Sequence, residues 1–237
     1  MTHYALTFGN LSERLSHPLS ILRVDPYETR VPRRAIEVLT RGDVLAYPTE
    51  TVYGLGCRID HEAAVRRIFE LKSRPPTDPL PVLLADAAQL EEYAAEVSDA
   101  ARLLIRRYWP GPLTLVVVRS ARVPSVVAGG GKTVAVRVPD HPLPRGLMAG
   151  IGGPIIGTSA NSHGQPAPTT AQQVVFDLGD RIALVLDGGR TRLGVESTVV
   201  DVTGPTVRVL RNGAIPATAI LAVVGQGESM VGPRASP

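Results

Sequence analysis

Six short clusters in this 237-residue chain carry side chains suited to holding an anion. They are Thr49 and Thr51 in "PTETVYGLG", Lys72 and Arg74 in "KSR", Arg137 in "TVAVRV", Thr158, Ser159 and Asn161 in "TSAN", Ser197 in "VESTVV", and Arg211 in "VLRNG". Hydroxyls and amides donate and accept, arginine offers a planar fork, and lysine brings a compact point charge. The groups of covalent or metal-assisted hydrolysis are missing as motifs: five histidines are scattered, with no G-x-S-x-G elbow, no H-E-x-x-H pair and no clustered carboxylates. Phosphoryl and nucleotidyl transfer ask a protein mainly for positioning and charge neutralisation, so this inventory suffices for them without histidine. On that view "PTETVYGLG" is a substrate-orienting wall beside a cationic phosphate clamp.

Taken singly, each cluster has a plainer reading, as a turn threonine or a solvated arginine. "AGGGKT" at 128–133 imitates a phosphate loop, but that pattern needs a glycine where Val126 stands and leads into a helix, whereas this segment leads into a strand. It reads as a glycine turn with a solvated Lys132. All but two of the 25 basic residues are arginine, the exceptions being Lys72 and Lys132, and the net charge is only +3. The single cysteine, Cys57, excludes an internal disulfide and reads as a small buried hydrophobe.

The elements that must position these groups follow from periodicity. A hydrophobic share of 44% against 20% charged residues implies a packed globular chain, and no stretch is apolar enough to span a bilayer. Helices are predicted at 32–41, opened by Pro32 and closed by Gly42, and at 60–74, capped by Asp60, with Val65, Ile68, Phe69 and Lys72 on one flank. One or two more lie within 86–109, stopped by "PGP", and others cover 141–152, 169–179 with a capped start, and 216–225. Apolar runs at 43–48, 54–59, 80–85, 113–118, 133–138, 154–160, 182–189, 197–202 and 206–211 read as strands. Alternation of the two implies one α/β sheet, with each cluster at the end of an apolar segment, where open sheets place their ligand crevice. Residues 1–29 read as a lead-in without the apolar core of a secretory leader, 30–224 as the working domain and 225–237 as a flexible tail. A cytoplasmic location is expected.

The motifs "PTETVYGLG", "KSRPPTDPL", "WPGPLTLV", "TVAVRVPDHP", "GTSAN", "GVESTVVDVT" and "LRNGAIP", in this order and spacing, resemble the YrdC family, the threonylcarbamoyl-AMP synthases. The resemblance runs from about residue 30 to about 216. It implies an open, twisted mixed α/β sheet with flanking helices and a large concave basic cleft for ATP, L-threonine and bicarbonate. The implied products are L-threonylcarbamoyladenylate and pyrophosphate, with a separate transferase complex moving the threonylcarbamoyl group to adenosine 37 of tRNA. Position by position, Lys72 and Arg74 match the family's K-x-R pair and Ser159 and Asn161 its S-x-N pair, the implied catalytic centre. Lys72, Arg74, Asp78, Thr133, Ser159 and Arg211 match ATP contacts, and Thr49, Arg137, Gly157 and Ser197 match threonine contacts. Long-form relatives often carry asparagine and histidine where this chain has Asp78 and Leu83, so no side-chain hydrogen bond from Leu83 to threonine is expected. The long form's separate C-terminal domain is not expected either. Without paired acids, no dedicated metal site is predicted, and magnesium is expected to ride on the phosphates of ATP.

Two rival functions share features with this chain. A double-stranded RNA or tRNA-binding module would use the same basic face, but the chain has few aromatics and no lysine stripe. A carbamoyl-adenylate-forming relative from hydrogenase maturation proteins would sit within a much longer, cysteine-rich chain.

Overall fold

The computed structural model describes residues 20–28 and 30–230. Most of the predicted lead-in and the last seven residues of the predicted tail lie outside that range.

In chain order the elements are β1 (Ser20–Arg23), α1 (Arg33–Thr40), β2 (Leu45–Tyr47), β3 (Gly54–Gly56), α2 (Glu62–Lys72), β4 (Val82–Leu83), α3 (Leu90–Tyr93) and α4 (Asp99–Tyr108). There follow β5 (Leu113–Val118), β6 (Thr133–Arg137), α5 (Pro142–Ile151), β7 (Ile155–Ile156), β8 (Thr158–Ser159), α6 (Ala171–Leu178), β9 (Leu184–Asp187), β10 (Thr198–Asp201), β11 (Arg208–Arg211) and α7 (Ala217–Met230).

The single predicted sheet is in fact two among the described residues. One has the order β1-β9-β2-β3-β8 and the other β11-β10-β5-β6-β4-β7, and both mix parallel and antiparallel neighbours. They meet where Ile156 donates its N–H to the Cys57 carbonyl at 2.9 Å and Arg58 bridges to Ile155. The larger core lies between the sheets and α2, α4 and α6, taking Val65, Ile68 and Phe69 from the predicted flank of α2, with Cys57 fully buried among them. A second cluster packs α1 and α5 on the outer face of the first sheet through Val38, Leu39, Leu147 and Met148 against Leu45, Leu184 and Leu186.

Local details depart from the predictions where a side chain finds another partner. Asp60 does not cap α2, because Arg58 takes its carboxylate through two hydrogen bonds of 2.9 and 2.6 Å, and His61 occupies the N-cap position. Pro32 sits one residue before the first turn of α1. The run 86–109 breaks into α3 and α4, the first preceded by a capping box of Asp86 and Gln89 and the second capped by Ser98. β1, absent from the sequence reading, pairs parallel with β9 on the sheet edge, and α7 runs five residues beyond its predicted end. The predicted capped start at 169–179 is a capping box between Thr170 and Gln173.

Candidate active site

The centre is built at the end of α2. Lys72 falls on its buried flank and is 2% exposed, which an ammonium tolerates only when its protons are taken up. Nζ donates to the carbonyl oxygens of Ser159 (2.6 Å) and Asn161 (2.5 Å), with Asn161 Oδ1 at 3.5 Å. The "KSR" and "TSAN" clusters, 87 residues apart, are thus one structure. Asn161 Nδ2 donates to the carbonyls of Ser162 and Gln165, and Asp177 anchors the next residue by accepting from the N–H and Oγ of Ser162 at 2.7 and 2.6 Å. Burial, and then the neighbouring Arg74 charge, pull Lys72 down to about 8, while Asp177 and Glu196 lie close enough to favour its charged form.

Arg74 follows Ser73, whose left-handed backbone ends the helix. Its Nη2 donates to the Pro79 carbonyl at 2.9 Å, Asp78 stands 3.9 Å from Nε, and Nε is buried without a hydrogen-bond partner among the described residues. Burial holds its pKa below the ordinary guanidinium value against the opposing pull of Asp78. Arg211, at the end of β11, donates to the carbonyl and Oγ of Ser197 and to Glu196 at 2.9 Å. Arg211, Ser197 and Glu196 thus form a bonded group of their own.

The opening loop lies beside this centre. Thr49 Oγ1 donates to the Val52 carbonyl at 2.7 Å, so Thr51 Oγ1 must donate to Thr49 across their 2.8 Å contact, and Arg137 Nη1 donates to Thr51 at 3.0 Å. Arg137 Nε donates to the Gly111 carbonyl at 3.0 Å, and the adjacent Pro112 carbonyl accepts from Thr198 N–H, next to Ser197. Ser197 Oγ in turn meets Thr114 Oγ1 at 2.8 Å. Thr49, Arg137 and Ser197 are thereby one connected network.

Strand β6 carries two of the predicted site residues. Thr133 begins it and Arg137 ends it, about 13 Å apart at strand rise. The turn before Thr133 packs on the segment after Arg74: a Cβ on Gly129 would lie 2.3 Å from the Thr77 carbonyl oxygen. Gly157, between β7 and β8, donates its N–H to the Pro81 carbonyl, and a Cβ there would lie 2.3 Å from Leu83 Cγ. Leu83 is fully packed in the second core cluster. Lys132 is exposed, as its turn reading requires.

Two acids that the sequence reading left unassigned emerge here. Glu50, 1% exposed, lies with Oε1 2.6 Å from Arg137 Nη2, and Glu196 balances Arg211. Glu50 was legible in principle as the lone acid of an otherwise neutral buried loop, since a buried carboxylate demands a cation. A concavity of about 980 Å³ lies between α4, the β10–β11 turn and α7, and another of about 290 Å³ reaches Thr49 and Glu50.

Fold and site together define a two-sheet α/β protein that brings the lysine at the end of one helix onto a serine–asparagine segment 87 residues away. The chain belongs to the Sua5/YciO/YrdC family, whose family model, described as telomere recombination, matches residues 37–213. It is 44% identical over 204 residues to a threonylcarbamoyl-AMP synthase of Pyrococcus abyssi, covering 86% of this chain and 59% of that protein. It is 40% identical over 183 residues to a threonylcarbamoyl-AMP synthase of Vibrio cholerae, covering 76% of this chain and 96% of that protein. The crystal structure of P. abyssi Sua5 complexed with L-threonine superposes with a TM-score of 0.81 at 43% identity, over 87% of this chain and 61% of that one. The chain thus spans about three-fifths of the archaeal relative and nearly all of the Vibrio one.

Proposed function

We propose that the chain is a threonylcarbamoyl-AMP synthase, joining L-threonine, bicarbonate and ATP into L-threonylcarbamoyladenylate with release of pyrophosphate and water. The observation that carries this reading is the direct bonding of Lys72 to the Ser159–Asn161 segment, with Arg74 two residues further on at the same helix end. The names of the Pyrococcus and Vibrio relatives and the threonine complex of P. abyssi Sua5 support it.

In this reading Lys72, Arg74, Asp78, Thr133, Ser159 and Arg211 form the ATP side, within a concave basic cleft. Thr49, Arg137, Gly157 and Ser197 form the threonine side, and β6 joins the two. The threonine amine and bicarbonate give a carbamate, one carbamate oxygen attacks the α-phosphorus, and the bond to the pyrophosphate oxygen breaks. Charge grows on the α-phosphate and the leaving group, where Arg74 brings an unused donor and Lys72 a buried positive charge. Lys72 spends its protons on the Ser159–Asn161 segment, so it both charges the centre and fixes the S-x-N pair. Magnesium would ride on the triphosphate, since the carboxylates Asp78 and Glu196 face arginines. The product, a mixed anhydride, suits transfer to tRNA by a partner complex. No described helix is long and apolar enough to cross a membrane, and a cytoplasmic place for the reaction belongs to the same proposal.

The deciding assay is pyrophosphate release from ATP with threonine and bicarbonate omitted in turn. Release should require both, and release that continues without threonine overturns the reading.

A further inference from the structure

We propose that Glu50 is a positioning residue for amino-acid recognition: its buried carboxylate fixes and balances the Arg137 guanidinium on the threonine side of the site. This inference rests on the role given to Arg137 in the proposed function.

Both groups are withdrawn from solvent, Glu50 almost completely, and Oε1 stands 2.6 Å from Nη2. The other two nitrogens are pinned, Nε to the Gly111 carbonyl and Nη1 to Thr51 Oγ1, which leans on Thr49 Oγ1. The contact between Nη2 and Oε1 lacks the direction of a hydrogen bond, so Nη2 and both carboxylate oxygens have no hydrogen-bond partner among the described residues. The pair is therefore held by charge at close range. A guanidinium fixed at two nitrogens and charge-balanced at the third suits amino-acid recognition better than a freely rotating one, because its orientation is settled before binding.

No neighbour can replace Glu50. His141, on the same 290 Å³ concavity, caps α5 through Nδ1 and is held neutral by burial, which pulls it down to about 4. Asp140 is taken by Arg192 at 2.6 Å, and Arg190 donates to Thr169. The backbone carbonyl of Glu50 also accepts from Leu193 N–H, which ties the pair to the loop leading to Glu196 and Ser197.

The test measures KM for threonine and for ATP separately in Glu50→Gln and Glu50→Asp. Misplacing a positioning group by 1 Å can cost on the order of 100-fold, so Glu50→Gln should raise the threonine KM at least about tenfold. The ATP KM should stay within about twofold, and Glu50→Asp, which keeps the charge, should recover part of the threonine loss. Where Glu50→Gln does not fold, Glu50→Asp alone is read by the same split between the two constants. A variant in which both KM values rise together, or neither moves, overturns the inference. Wild-type protein lacking threonine-dependent pyrophosphate release overturns the proposed function and this inference with it, and that result is read before any variant is made.

Discussion

Arg74 and Arg137 are the same residue type, both nominated by sequence to hold anions, and the fold treats them in opposite ways. Arg74 follows a helix end, keeps one backbone acceptor and a loose acid at 3.9 Å, and has a buried Nε with no partner. Arg137 ends a strand flanked by β4 and β5, with two nitrogens bonded to a backbone carbonyl and a hydroxyl and the third, though without a hydrogen-bond partner among the described residues, held against a carboxylate at 2.6 Å. A cation left short of partners is a charge the protein has reserved for something else, whereas a surrounded one serves first to set geometry. The sharpest way to break this contrast is Arg74→Ala. Removing a donor from developing charge typically lowers turnover by about 10² to 10³, while the one lost hydrogen bond to Pro79 costs only about 1 kcal/mol of stability. Steady-state kinetics beside a denaturant titration would check both. A turnover within about threefold of wild type would remove Arg74 from the transition state.

Lys72 tests the contrast from the pH side. Below about 8 it carries the charge that the proposed function sets toward the nucleotide, and above that value it loses it. ATP affinity should therefore be level up to about pH 8 and fall by at most about tenfold per pH unit beyond it. Stability should move the other way. In the unfolded chain the lysine keeps its proton up to the ordinary 10.5, so between about 8 and 10.5 the unfolded state binds more protons. By linkage this group's contribution to folding stability then rises with pH across that window. Calorimetric titration with ATP at neutral and alkaline pH would decide, and an affinity that stays level one unit above pH 8 would show that the ammonium charge is not used.

The side chains proposed for the site could be nominated from residue type, because polar and charged residues stand out at the ends of apolar helices and strands. The capping box at Thr170 and Gln173 and the burial of Lys72 on the Val65, Ile68 and Phe69 flank followed from local spacing. The partners were hidden. Lys72 is held by the carbonyls of Ser159 and Asn161 and Arg137 by that of Gly111, and every residue has a carbonyl. The split into two sheets was hidden for a similar reason: β4, β7 and β8 are two residues long, too short to show a period, and β3 finds β8 about a hundred residues away. Gly157 had one signal in sequence, its place before "TSAN", but its packing reason, the close approach of Leu83, exists only in three dimensions.

The smallest expected effect concerns the other lysine. "AGGGKT" looks like a phosphate cradle, yet its geometry serves packing: Gly129 and Gly130 have φ of 58° and 79°, and Gly129 lies against the Thr77 backbone where a side chain would not fit. Arg119 closes the turn by donating its N–H to the Lys132 carbonyl at 3.0 Å and its Nε to that of Gly131 at 2.9 Å, leaving the Lys132 ammonium no structural task. An exposed lysine of this kind is a solvated charge, and its substitution should fall within about 0.5 kcal/mol in stability. Lys132→Ala is accordingly expected to leave ATP affinity and turnover within about twofold, against the large loss of turnover for Arg74→Ala. A tenfold loss of ATP affinity in Lys132→Ala would move the phosphate-binding role from the end of α2 to the glycine turn, and the contrast between reserved and committed cations would have to be redrawn around it.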